Sequence, residues 1–164
     1  MVARPAPRAL VAGVGEPMRQ DDGCGPRVVR ALRGRLASDV AAVDRVAELT
    51  ELLDRWTGVP LAIVVDAMRS GAPAGTLRRL EGEALLQAAP DRLTSSHGLS
   101  IRDAYELGRA LGQLPGRLVV YLIEAGEMGH GDRLSADVEG AVDRAANAVL
   151  AELADVPPVS AGGP

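Results

Sequence analysis

The stretch from Arg8 to Arg30, RALVAGVGEPMRQDDGCGPRVVR, restricts what this chain can fold into more than any other. Ala9-Leu10-Val11-Ala12 is an unbroken apolar run of the kind that fills a buried strand. Gly13 and Gly15 then allow a tight turn where a side chain would clash, and Pro17 discourages regular structure at Glu16. The acidic pair Asp21-Asp22 follows, with Gly23 and Gly25 behind it. Pro26 suits the first turn of a helix whose apolar face is Val28, Val29 and Leu32. The order is strand, glycine-rich loop, acidic pair, helix. Loops at the carboxyl ends of strands are where α/β sheets usually place their chemistry.

Further along, the helix is expected over about 25–36, and 39–43 is a short strand candidate. From Val46 the apolar residues Val46, Leu49, Leu52, Leu53 and Trp56 recur at helical spacing until Gly58 and Pro60. Leu61-Ala62-Ile63-Val64-Val65 is the strongest strand, uninterrupted as a central parallel strand is, and Asp66 closes it. A loop rich in Gly, Ala and Pro leads to a strand at 76–80 with one wet face. So short a return leaves no room for a crossover helix and predicts a hairpin in a mixed sheet. Between 82 and 93 the pattern is ambiguous, with a short helix through 83–87 as one reading. Ser100 and Asp103 form a capping box before Ile101, Ala104, Leu107, Leu111 and Leu114, placed on one helical face that ends at Pro115-Gly116. A second buried strand at 118–123 ends in Glu124, and a last helix starts behind Ser135 and runs to about Leu153.

With 164 residues the chain suits one domain, and its 47% hydrophobic fraction argues against disorder. All eighteen basic residues are Arg, scattered apart from Arg78-Arg79, and Phe is absent, so neither a basic patch nor a stacking platform for nucleic acid is present. No apolar run is long enough to span a membrane or to act as a secretory leader, which makes the cytoplasm the expected location. Cys24 is the single cysteine. Carboxylates beside it disfavour a thiolate, so it reads as a small buried filler rather than a nucleophile.

Three polar groups border well-marked elements: Asp22 beyond the first strand, Asp66 at the end of 61–65, and His97 ahead of the Ser100 helix. If the two strands are parallel neighbours, roughly 5 Å apart, the loops beyond them share one crevice. Two carboxylates and an imidazole suit a divalent ion such as zinc, nickel or iron. Each residue also has a plainer role open to it: Asp22 as a helix cap, Asp66 as a holder of loop amides, His97 as a surface loop residue. His130, between two glycines, reads as surface or partner contact, and Glu124 as a carboxylate behind the site or a loop anchor. A dinucleotide fingerprint lacks its third glycine, since position 18 is Met, and no Gly-x-Ser-x-Gly elbow is present for a serine hydrolase.

Over about residues 8–153 the sequence resembles the maturation endopeptidases of nickel-iron hydrogenases. The resemblance rests on Gly13-Val14-Gly15-Glu16 with Asp21-Asp22-Gly23-Cys24-Gly25, on Val64-Val65-Asp66 with Pro73-Ala74-Gly75-Thr76, on Thr94-Ser95-Ser96-His97-Gly98-Leu99, and on Ile123-Glu124 with Leu134-Ser135 and Val138-Glu139. Two departures are Glu16, where the family has Asn, and the inserted Ala74. The resemblance implies a three-layer α/β/α fold around a twisted, mostly parallel mixed sheet of about five strands. A single domain over 1–164 is expected, with 8–153 as its core and 1–7 and 155–164 as flexible tails. The implied activity is a metal-dependent peptidase, a hydrolase that removes the C-terminal extension of a hydrogenase large-subunit precursor after nickel insertion. Asp22, Asp66 and His97 take the metal-binding and catalytic roles, with Glu16, Asp21 and Glu124 behind them. Nickel would arrive with the substrate, and zinc or cadmium could occupy the site in vitro. The precursor is the expected partner, the protein a monomer, and neither nucleic acid nor membrane is expected. Two alternatives stay open: a non-catalytic maturation chaperone reading the metal-loaded precursor, and an unrelated small metallohydrolase or nucleotide-binding domain.

Overall fold

The structure is a computed structural model and describes residues 6–88 and 100–158. Its centre is a five-stranded sheet in the order β2-β1-β3-β5-β4. The strands are β1 Ala9–Val14, β2 Val40–Val46, β3 Leu61–Met68, β4 Leu77–Glu81 and β5 Arg117–Glu124. β1 pairs in parallel with β2 and β3, β3 pairs in parallel with β5, and β4 lies antiparallel on β5. The three apolar runs of the sequence are therefore the three central strands, as their two-faced hydrophobicity requires. The helices are α1 Cys24–Leu32, α2 Thr50–Trp56, α3 Ala84–Gln87, α4 Ile101–Leu111 and α5 Ala136–Ala154.

Alternation along the strands gives the sheet two cores. Leu61, Ile63 and Val65 pack with Val28, Val29 and Leu32 of α1 and with Val142, Ala145 and Val149 of α5. Ala62, Val64 and Met68 pack with Leu52, Leu53 and Trp56 of α2, Leu85 of α3 and Ile101 and Ala104 of α4. Helices thus cover both faces, which is the three-layer arrangement expected.

Four expectations are corrected. The strand at 76–80 does not form a hairpin with β3; β5 lies between them, and β4 takes the edge. The cause is burial: β5 is covered on both faces and needs a partner on each side, while β4 carries the exposed Arg78 and Arg79 and tolerates an edge. Val46 belongs to β2, where it pairs with Val14, and α2 starts only at Thr50. α1 stops at Leu32 because Arg33 is extended (ψ 134°) and Gly34 is left-handed (φ 81°). α4 stops at Leu111 because Gly112 adopts the left-handed conformation; its buried face is Ile101, Ala104, Tyr105 and Gly108, and Leu107 and Leu111, expected inward, are 43% and 58% exposed. The capping box is present as expected: Ser100 Oγ accepts from Asp103 N–H, and the Asp103 carboxylate accepts from Ser100 N–H.

Candidate active site

The carboxyl ends of β1, β3 and β5 converge because these strands run parallel and side by side. Beyond β1 the chain turns at Gly15, whose φ of 125° no ordinary side chain adopts easily and whose Cβ position would strike the Asp22 carbonyl. That close approach folds the Glu16–Arg19 segment back on Asp22. A short 3-10 turn over Gln20–Gly23 then leads directly into α1.

Asp22 is buried, and its Oδ2 accepts the Glu16 N–H at 2.9 Å, with Arg19 Nη1 4.0 Å away. Asp66 is buried within β3 itself, which continues two residues past it because β5 extends alongside to Glu124. Asp66 Oδ1 accepts the N–H of Ala67 at 2.7 Å. Burial pushes the Asp66 carboxyl well above the ordinary carboxylate range; the Ala67 hydrogen bond opposes this, and the charge of Asp22 adds to it. The two acids are thus near enough to repel. Cys24 is fully buried, and burial, followed by the charges of Asp66, Asp22 and Asp21, drives its thiol upward. An inert filler is what that environment makes of it.

Asp21 faces the other way. Its Oδ2 accepts the N–H groups of Gly126 and Glu127 and the Ser135 hydroxyl, and its Oδ1 accepts the Ser135 N–H, all at 2.7–2.8 Å. Burial raises its pKa, but the hydrogen bonds from Glu127, Ser135 and Gly126 outweigh it and hold the carboxyl below the usual range. Glu124 does comparable work one loop away. Its buried carboxylate accepts from the Ser70 N–H and hydroxyl and from the Gly71 N–H, pinning the loop after β3. The Glu16 carboxylate pairs with Arg45 at 2.6 Å and accepts the Met18 N–H, while its backbone N–H serves Asp22.

The structure therefore leaves Asp22 and Asp66 within reach of each other's charge, sets Asp21 and Glu124 as loop anchors, and places Glu16 beside Asp22 through its backbone. His97 lies outside the described residues, three positions before the α4 cap Ser100. By alternation Asp66 shares the sheet face of Ala62, Val64 and Met68, the face that α4 covers. Among the described residues no group of three His, Cys, Asp or Glu side chains is arranged to hold a metal ion. Sequence reasoning did not single out Ser70, Arg45 or Met18, which carry no motif. Met18 alone left a signal, an apolar residue inside a polar loop.

A mixed α/β/α sheet with two buried acids at the carboxyl ends of neighbouring parallel strands defines a class of small α/β proteins with a carboxylate site. The sequence profile of the hydrogenase maturation protease family matches residues 26–152, and the chain belongs to that family. The hydrogenase maturating endopeptidase HybD from E. coli superposes with a TM-score of 0.78 at 26% identity, covering 94% of this chain and 99% of that one. The hydrogenase 2 maturation peptidase from a Thaumarchaeota archaeon superposes with a TM-score of 0.66 at 29% identity, covering 89% of this chain and 97% of that one. The hydrogenase expression/formation protein HupD of Thiocapsa roseopersicina is 28% identical over 127 residues, 76% of this chain. The match takes in 58% of the length of that relative. Among the described residues no helix is long and apolar enough to cross a membrane.

Proposed function

We propose that this protein is an endopeptidase that removes the C-terminal extension of a nickel-iron hydrogenase large-subunit precursor, and that it acts once nickel has been inserted. The observation that supports this most is the pair of buried carboxylates, Asp22 and Asp66, whose mutual repulsion is relieved by a cation. In this reading Asp22, Asp66 and His97 hold the nickel that the precursor carries. Two carboxylate oxygens and an imidazole fit a divalent ion, and zinc or cadmium would fit the same donors in vitro. A divalent ion bound there would polarise the scissile carbonyl and lower the pKa of an attached water from about 15.7 toward 7.

The chain's own residues do the rest. The Glu16 N–H fixes the direction of the Asp22 carboxylate, and the Ala67 N–H fixes that of Asp66. As ligands of such an ion Asp22 and Asp66 would both serve as carboxylates, and the ion would supply the activation of the attacking water. Asp21 and Glu124 are fully engaged with loop amides and hold the walls of the crevice. Because the nickel comes with the precursor, an unloaded precursor lacks the element that completes the site, and cleavage follows insertion. The protein works as a monomer in the cytoplasm.

The test is the mass of a nickel-loaded precursor before and after incubation with the protein. Loss of the C-terminal extension is expected, and Asp22→Ala, Asp66→Ala and His97→Ala proteins with wild-type circular dichroism should leave the precursor intact. Normal cleavage by any of these folded variants removes that residue from the site. Tight binding of the precursor without shortening would make the protein a chaperone instead.

A further inference from the structure

Among the described residues three large apolar side chains stand in solvent: Met18, Leu107 and Leu111. Leu107 and Leu111 lie on α4. Met18, 60% exposed, lies in the loop that carries Asp22. Arg19 N–H donates to the Glu16 carbonyl at 3.0 Å, which closes a four-residue turn with Pro17 at its second position and Met18 at its third. Both ends of this turn touch Asp22. Glu16 N–H donates to the Asp22 carboxylate, and Asp22 N–H donates to the Arg19 carbonyl at 3.2 Å.

The exposure of Met18 is not fraying. Its N–H donates to the Glu16 carboxylate, and its carbonyl accepts the Gly131 N–H at 3.0 Å. Gln20 N–H donates to the Gly131 carbonyl at 2.8 Å, and the Gln20 side-chain oxygen accepts the Gly129 N–H at 2.7 Å. Gln20 is held at φ 52°, the single described non-glycine residue with positive φ, a conformation that persists only where its surroundings enforce it. The turn is therefore clamped by Asp22 and by Arg45 of β2 on one side and by the loop before α5 on the other. A polar residue would satisfy its geometry equally well, yet the tip presents an unbranched thioether, a side chain that moulds itself to apolar partners of varied shape.

We propose that Met18 is a substrate-contact residue: the tip of the Glu16–Arg19 turn receives an apolar side chain of the precursor next to the bond that is cut. This rests on the peptidase reading above. A peptide whose scissile carbonyl reaches Asp22 and Asp66 runs along the rim that this turn forms, and burial of Met18 against an apolar neighbour supplies ground-state binding without touching the reacting atoms.

The experiment compares wild-type, Met18→Glu and Met18→Leu proteins on the nickel-loaded large-subunit precursor, reading kcat, KM and, separately, equilibrium affinity for the precursor. Met18→Glu should raise KM and weaken affinity about tenfold with kcat held within about twofold, and Met18→Leu should restore wild-type values. Unchanged KM and affinity in Met18→Glu overturns the proposal. So does a fall in kcat at constant KM, which would mean that the turn merely supports Asp22. If wild type binds the precursor but leaves it uncut, the peptidase reading fails on its own. The contact is then judged by affinity alone: tenfold weaker binding in Met18→Glu sustains it, and equal binding ends it.

Discussion

Asp21 and Asp22 are adjacent in sequence, yet the first accepts four hydrogen bonds from the loop before α5 while the second accepts one from Glu16 and lends its charge to raising the Asp66 pKa. Removing the Asp21 carboxylate takes a charged acceptor from the part-buried N–H groups of Gly126, Glu127 and Ser135, hydrogen bonds of a kind worth about 1.5–3 kcal/mol each. Asp21→Ala should therefore cost roughly 3 kcal/mol or more in urea unfolding. A loss below about 1 kcal/mol would mean that water replaces the carboxylate freely. Glu16 predicts the opposite scale. Its carboxylate joins a partly exposed pair with Arg45, the type of pair worth about 0–1 kcal/mol, and the hydrogen bond to Asp22 comes from its backbone. Glu16→Asn should shift stability by less than about 1 kcal/mol and leave precursor cleavage close to wild type; a hundredfold loss of cleavage would give the Glu16 carboxylate a direct role.

Elements here are positioned by close backbone approaches as much as by apolar faces. A Cβ on Gly25 would lie 2.3 Å from the Val65 carbonyl oxygen and 2.4 Å from that of Val14, both main-chain atoms that cannot turn aside. Gly25→Ala should push α1 off the ends of β1 and β3, at a cost of at least about 1–3 kcal/mol, and disturb precursor cleavage through Asp22. Full retention of both stability and cleavage would show that α1 shifts freely. Ser100→Ala is milder: loss of the cap on α4 should cost about 0.5–2 kcal/mol by thermal or urea unfolding. The cap could be read from the residues, because Ser100-x-x-Asp103 is a local signal, whereas the close approach at Gly25 involves carbonyls of two strands and leaves no local mark. The helix ends were harder. Gly34 and Gly112 are the residues that stop α1 and α4, but Leu36 and Leu114 continue the apolar spacing beyond them and mask the stop. Both leucines still pack against the cores as partly buried residues, so spacing reported burial correctly and secondary structure incorrectly.

At the scale of the whole molecule, strand identity was legible and strand order only partly so. The two-faced apolar runs of β1, β3 and β5 require central places, but nothing local in 69–76 states that the chain passes β5 before β4 pairs; that depends on a strand forty residues later. The site was legible as acids at strand ends, and the opposite electrostatics of Asp21 and Asp66 were not, since they follow from which amides each one meets. Those opposite shifts act together on the folded protein. Asp66 has a raised folded pKa, so the native state holds its proton when the unfolded chain has lost it. Stability from this group is full below the unfolded value near 3.8 and is lost as pH rises through the folded value. Asp21 has a lowered folded pKa, so its contribution is present above 3.8 and is lost as pH falls through the folded value. Glu81 and Glu152, held down by hydrogen bonds from Arg117 and Arg79, act in the same sense as Asp21. The metal-free protein, kept in chelator, should therefore be most stable in mildly acidic solution, with melting temperature declining toward neutral pH. Asp66→Asn should remove that decline, exceed wild type in melting temperature at neutral pH, and fail to cleave the precursor. Wild-type and Asp66→Asn melting curves that run parallel from mildly acidic to neutral pH would show that Asp66 is solvated well enough to ionise at no cost, and the repulsion across the crevice would then be too weak to draw a cation.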